Sequence, residues 1–129
     1  MTSPADLRYT KTHEWIRVDG DIATIGLTNY AQQELGDITY VELPEEGTAL
    51  SQNEPFGVIE SVKAAADVYA PVDGEVVERN ESVVESPEIV NASPYADAWL
   101  IRIRVSNLTQ IEQLMNASSY DEHAAAAAH

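Results

Sequence analysis

Apolar and polar residues alternate along this chain in short runs, punctuated by Gly- and Pro-bearing turns. That pattern constrains the fold more than any other feature, because a period of two buries one face of a strand and leaves the other to solvent. Glu14-Trp15-Ile16-Arg17-Val18 and Ile22-Ala23-Thr24-Ile25-Gly26-Leu27 flank Asp19-Gly20-Asp21, and an Asp-Gly pair suits the φ > 0 positions of a tight hairpin turn. Further strands are predicted over 38–43, 56–62, 67–70, 75–79 and 99–105, with Pro44-Glu45-Glu46-Gly47 and Pro71-Val72-Asp73-Gly74 as turns. Thr28 to Leu35 breaks the alternation, where Asn29 with Gln32 forms a capping-box pattern and Gly36 stops a short helix. Ser86-Pro87 opens a brief helical piece that ends near Asn91. Leu108, Ile111, Leu114 and Met115 follow at helical spacing, predicting a C-terminal helix. The expectation is one mainly β domain over 1–120, a sandwich or small barrel with appended helices, followed by a polar, Ala-rich tail over 121–129 with no assigned role.

Charge narrows the partners. The chain has 129 residues, with 22 acidic against 7 basic, and a formal charge of −15. Nucleic-acid affinity comes largely from Lys and Arg on phosphates, so no nucleic-acid partner is expected. Anionic membrane surfaces are disfavoured on the same ground, and no apolar run approaches the ~18 residues of a span. A basic protein partner suits such a field. There are no cysteines, which excludes disulfides, thiol nucleophiles, Cys metal sites and intrinsic thiol redox chemistry. Met1-Thr2-Ser3-Pro4-Ala5-Asp6 lacks a basic start and an apolar core, so the chain reads as soluble, intracellular and complete. Sequons at Asn80, Asn91, Asn107 and Asn116 are chance matches on that reading.

Side-chain catalysis finds few candidates. The histidines are His13, His123 and His129, and Arg17 stands where a zincin needs its second histidine after His13-Glu14. No nucleophile elbow, Gly-rich phosphate loop or metal motif is present. The informative stretch runs from Phe56 through Glu60-Ser61-Val62-Lys63-Ala64 to Ala70-Pro71-Val72-Asp73-Gly74-Glu75-Val76-Val77-Glu78. Its two strands form a hairpin with Lys63 near the tip. Lys11 is the chain's only other lysine, so few amines compete for an amine-directed modification. From spacing alone, Lys63 reads as a solubilising charge.

The surrounding motifs add a resemblance. Thr12-His13-Glu14-Trp15, Leu35-Gly36-Asp37-Ile38 through Val41-Glu42-Leu43-Pro44, Glu60-Ser61-Val62-Lys63-Ala64, Ala70-Pro71-Val72-Asp73-Gly74-Glu75-Val76, and Pro94-Tyr95 with Trp99 occur in order. Together they resemble the glycine cleavage H-protein family from Tyr9 to about Tyr120. A biotin carrier would place Met on both sides of its lysine, whereas Val62 and Ala64 stand here. Lipoyl domains of 2-oxo acid dehydrogenase complexes share the hairpin but not the His-Glu-Trp start or the C-terminal helix.

The resemblance implies a lipoyl-domain-like barrel-sandwich hybrid of two small antiparallel sheets, and a shuttle in place of an enzyme. It implies lipoic acid in amide linkage on Lys63, with Glu60, Ser61, Val62 and Ala64 framing it for a lipoyl ligase or octanoyltransferase. The implied partners are glycine decarboxylase (P protein), which loads an aminomethyl group, aminomethyltransferase (T protein), which passes the carbon to tetrahydrofolate, and dihydrolipoyl dehydrogenase (L protein), which reoxidises the dithiol. A loaded arm is expected to fold into a surface cleft, where Glu14 and Asp67, with Thr12, are the candidates to receive its ammonium. Glu34 stands where some relatives have His, and Ala98 where relatives usually have Gly, a position that an αL conformation would strain. Trp15 and Trp99 are expected in the core.

A monomer in the bacterial cytoplasm is expected, ahead of the mitochondrial matrix. Two other readings stay open from the residues. The same amine would serve an acyl relay donating octanoyl or lipoyl groups to other proteins, and an unmodified acidic adaptor would merely keep the fold.

Overall fold

The computed structural model describes residues 3–127. Nine strands and five helices follow in chain order: β1 Arg8–Tyr9, β2 Glu14–Asp19, β3 Ile22–Leu27, α1 Asn29–Leu35, β4 Ile38–Glu42, β5 Ala49–Leu50, β6 Pro55–Ser61, β7 Ala65–Tyr69, β8 Gly74–Arg79, α2 Glu81–Glu85, α3 Ile89–Ala92, β9 Ile101–Val105, α4 Thr109–Glu112 and α5 Ala117–Ala127. They form a six-stranded sheet in the order β1-β2-β3-β9-β8-β5 and a three-stranded sheet in the order β4-β6-β7. Every pairing is antiparallel. The architecture is mainly β, as the alternation predicts.

The predicted Asp-Gly hairpin joins β2 to β3. Asp19 pairs with Ile22 across a two-residue loop, and Gly20 has φ 66°. Inward residues of both sheets meet in one core, with Ile16, Ile25, Ile101 and Ile103 from the larger sheet against Val41, Ile59 and Val68 from the smaller. A second cluster, built from Leu7, Tyr9, Trp15, Tyr30, Tyr120 and Ala124, joins the N-terminal segment to α5.

The helices depart from expectation in instructive ways. Thr28, not Asn29, caps α1: its Oγ1 accepts from the Ala31 N–H at 3.2 Å, while Asn29 Oδ1 accepts from Gln32 Nε2 within the helix. Gly36 ends α1 as predicted, at φ 81°. The corner beyond it is tied by Asn91, whose Nδ2 donates to Gln32 Oε1 and Gly36 O and whose Oδ1 accepts from Ile38 N–H. The segment after Pro87 forms α3 over Ile89–Ala92, and α2 precedes it unanticipated because β-branched Val83 and Val84 weaken its helical signature. Asn80 caps α2 through Ser82 N–H.

The apolar spacing from Leu108 to Met115 gives only the single turn α4; Met115 instead exchanges two backbone hydrogen bonds with Tyr9. The long C-terminal helix is α5, which crosses the boundary expected at residue 120 and buries Tyr120 and Ala124. Positive φ among the described non-glycine residues occurs at His13 and Asn53, so Ala98 carries no αL strain. Trp15 is wholly buried, whereas Trp99 is half-buried with the Arg102 guanidinium 4.1 Å over its ring.

Candidate functional site: a lysine-tipped hairpin beside an apolar groove

β6 and β7 pair from Pro55↔Tyr69 to Glu60↔Ala65, leaving Val62-Lys63-Ala64 as the connecting tip. Ser61 builds that tip. Its N–H donates to Ala64 O at 2.7 Å, and its Oγ accepts from Ala64 N–H at 3.1 Å and Lys63 N–H at 3.4 Å. A serine hydroxyl closing on amides two and three residues ahead is the turn chemistry that fits a tight loop. Val62 N–H donates to Asp37 O at 3.1 Å and hitches the tip to the corner between α1 and β4.

The side chains at the tip face outward. Lys63, Glu60 and Ala64 are exposed, and Val62 is 72% exposed, while Ser61 is half-buried against the loop's own amides. Lys63 takes part in none of the ion pairs among the described residues. A Cβ placed on Gly36 would lie 3.7 Å from Lys63 Cε, so the lysine stem passes over the glycine that ends α1.

A groove of about 260 Å³ opens on the same side. Its walls are the α1 face bearing Tyr30, Ala31, Glu34 and Leu35, and the β7 edge bearing Ala66, Asp67 and Val68. Leu27 and Ile59 lie between, and Thr12 with His13 closes the far end. Asp67 lies in β7, four residues along the chain from Lys63, a separation of at most roughly 13 Å at strand rise. The groove beside Gly36 and Lys63 thus presents apolar walls with the Glu34 and Asp67 carboxylates in its lining.

The residues expected to receive a cation are divided between two layers. Asp67 and Thr12 line the groove, but Glu14 is buried beneath it and absent from the lining. Thr10 and Thr12 hydroxyls donate to Glu14 Oε1, and the Tyr69 N–H donates to Oε2 at 3.2 Å. Burial pushes the Glu14 carboxyl up from 4.5 to about 7, against the hydrogen-bond donors that favour the charged form. Near neutral pH it therefore exchanges its proton, with Thr12 connecting it to the groove.

That titration has a stability consequence. A carboxyl that holds its proton more tightly folded than unfolded contributes stability present in full below about 4.5 and lost as pH rises through about 7. The loss is on the order of 3 kcal/mol. Glu14→Gln fixes the neutral arrangement, with the amide donating to the threonines and its oxygen accepting from Tyr69. Unfolding free energies measured from pH 4.5 to 7 should fall less steeply in this variant than in the parent. Parallel curves would place the titration elsewhere.

The sequence points to Thr12 and Asp67, and the resemblance also to Glu34, but neither points to Tyr30, Ala31 and Leu35 of the α1 wall or to His13 at its end. Tyr30, Ala31, Glu34 and Leu35 recur at helical spacing, so a helical projection of 28–35 would have found one face. His13 carried no such signal. Its ring is placed by a φ of 74° and by contacts with α5, a helix far away in sequence.

The family model described as Glycine cleavage H-protein matches residues 7–127. The glycine cleavage system H protein of Halothermothrix orenii is 54% identical over 120 residues, covering 93% of this chain and 94% of that protein. The Bacillus subtilis protein of the same description is 52% identical over 122 residues, covering 95% and 96%. A crystal structure of a glycine cleavage system H protein from Mycobacterium marinum superposes with a TM-score of 0.85 at 35% identity, covering 92% of this chain and 95% of that one.

Proposed function

The chain belongs to the glycine cleavage H-protein family and is a lipoyl carrier of the glycine cleavage system, and on that premise we propose that Lys63 is the amine that carries lipoic acid in amide linkage. The observation that carries this reading is the exposed Lys63, in no ion pair among the described residues, at a Ser61-closed tip, its stem crossing Gly36 toward the groove. Bound there, lipoate supplies a disulfide that accepts a carbon fragment and two electrons, chemistry that a cysteine-free chain lacks.

The chain's own residues present and shelter. Ser61 fixes the tip, and Glu60, Val62 and Ala64 offer a modifying enzyme a charged and apolar frame around the amine. Asp67 and Thr12 supply acceptors for an ammonium, and Leu27, Ala31, Leu35, Ile59 and Val68 exclude water around them. Glu14, one hydrogen bond behind Thr12, holds a proton that leaves or stays as charge arrives. The protein acts as the substrate of other enzymes: glycine decarboxylase, aminomethyltransferase and dihydrolipoyl dehydrogenase act in turn on the arm, and a lipoyl ligase or octanoyltransferase installs it. It works as a monomer in the bacterial cytoplasm. An acyl relay would use the same amine, but gains nothing from a groove that shelters a charged load.

Incubation with a lipoylating enzyme and an activated lipoyl donor, followed by peptide mass spectrometry, tests the assignment. The expected result is stoichiometric acylation of Lys63 with Lys11 unmodified. Acylation of Lys11, or none, would overturn it.

A further inference from the structure

We propose that the C-terminal helix α5 braces the arm-holding groove from behind, and that Tyr120 is the positioning residue that fixes the His13 imidazole in its far wall. Tyr120 is wholly buried. Its hydroxyl lies 2.8 Å from His13 Nδ1 and 2.6 Å from Thr28 Oγ1, the atom that caps α1. One phenol thus joins α5 to the loop that closes the groove and to the helix that forms its wall. The Tyr120 ring stacks on Tyr9 with centroids 4.7 Å apart, so the hydroxyl is held from behind.

His13 is held in a conformation that needs such support. It has φ 74°, a region few non-glycine residues occupy without reinforcement, and one that recurs in ligand clamps. Its N–H donates to Thr10 O, its carbonyl accepts from Thr28 N–H, and its ring lies 4.7 Å from Tyr30. A second α5 residue completes the clamp: His123 is 5.6 Å from the His13 ring, and its Nε2 donates to the Lys11 carbonyl at 2.9 Å.

The electrostatics suit a cationic guest. Tyr30 and Glu34 face His13 from α1, Tyr120 and His123 from α5, and Asp67 lines the opposite edge. Burial, with His123 close by, pushes the His13 imidazole below its ordinary range, and Glu34 pulls the other way. A neutral imidazole does not repel an ammonium. The hydrogen bond at Nδ1 sets the tautomer and hence what Nε2 offers the groove.

This inference rests on the carrier reading, and the experiment separates the two. Tyr120→Phe keeps the ring and its stacking but removes the hydroxyl. His13→Asn keeps a residue that tolerates positive φ while withdrawing the imidazole. In the unlipoylated chain, nitrogen NMR of His13 should change from a single favoured tautomer in the parent to a mixture in Tyr120→Phe. In the lipoylated, glycine-loaded chain alone in buffer, water releases the carbon as formaldehyde and the nitrogen as ammonium and leaves both sulfurs as thiols. That release should accelerate ~3–10-fold in either variant, the scale of one hydrogen bond, with no further gain in the double variant. An unchanged His13 spectrum in Tyr120→Phe overturns the proposal, as does an altered spectrum with unaltered release. A parent chain that cannot be loaded at Lys63 overturns the carrier assignment, and this proposal with it.

Discussion

Lys63→Arg should reduce glycine-dependent one-carbon transfer through this chain to background while leaving its unfolding midpoint unchanged. Arginine preserves the positive charge and a comparable aliphatic stem, but its guanidinium stays protonated in proteins and offers no amine to acylate. The fold has little stake in the side chain, because Lys63 is exposed and joins no ion pair among the described residues. Surface substitutions of that kind stay within about 0.5 kcal/mol. Lys11→Arg is the matched control, since the hydrogen bond to His123 uses the Lys11 backbone carbonyl and survives the change. A reconstituted system with the decarboxylase, the transferase and the dehydrogenase, assayed for glycine-dependent carbon dioxide release, should lose activity with Lys63→Arg and retain it with Lys11→Arg. Residual turnover in Lys63→Arg would mean that another group carries the chemistry.

Local signals made most of this arrangement legible in the sequence. Asp19-Gly20 specifies its own turn through backbone conformation, and the alternation around it fixes which faces meet the core, so β2 and β3 could be read from neighbouring residues. Ser61 and Lys63 lie on one continuous hairpin, and that continuity exposes the candidate amine to sequence reasoning. The parts that escaped depend on contacts between distant segments. β1 and β5 are two residues long, too short for any period to register. α5 reads as a polar alanine run because its buried contribution is Tyr120 and Ala124, which gain meaning only when Leu7, Tyr9 and Trp15 lie beneath them. Glu14 is singled out by the resemblance as a groove residue, but its burial beneath the groove follows only from Thr10, Thr12 and Tyr69 closing over it. The groove combines α1, β7 and the Thr12-His13 loop, and no single stretch of chain describes it.

Trp15→Ala is expected to produce the largest loss of stability, and its cause divides the His13-Glu14-Trp15 motif by role. His13 lines the groove and Glu14 lies beneath it, but Trp15 is wholly buried in the second core, with its Nε1 donating to Pro94 O at 2.9 Å. Truncating such a ring costs ~3–5 kcal/mol, a large share of the 5–15 kcal/mol that holds a typical domain together. Gly26, its partner across β2 and β3, explains why the ring fits. A Cβ there would lie 2.6 Å from Trp15 Cε2 and Cζ2, closer than atoms approach without displacement. The hydrogen bond to Pro94 keeps the indole from retreating, so Gly26→Ala alone should cost ~1–3 kcal/mol through overpacking. Combined with Trp15→Ala, the new methyl enters the space the indole vacated. The double variant should then be more stable than the sum of the single effects by ~1–2 kcal/mol, a coupling typical of residues in contact. Denaturant unfolding of the four proteins in the cycle measures it. Additivity within about 0.5 kcal/mol would show that Gly26 is small for a reason other than the tryptophan. A coupling of the expected sign makes the glycine and the indole one packing unit, on which the loop carrying Thr12 and His13 is mounted.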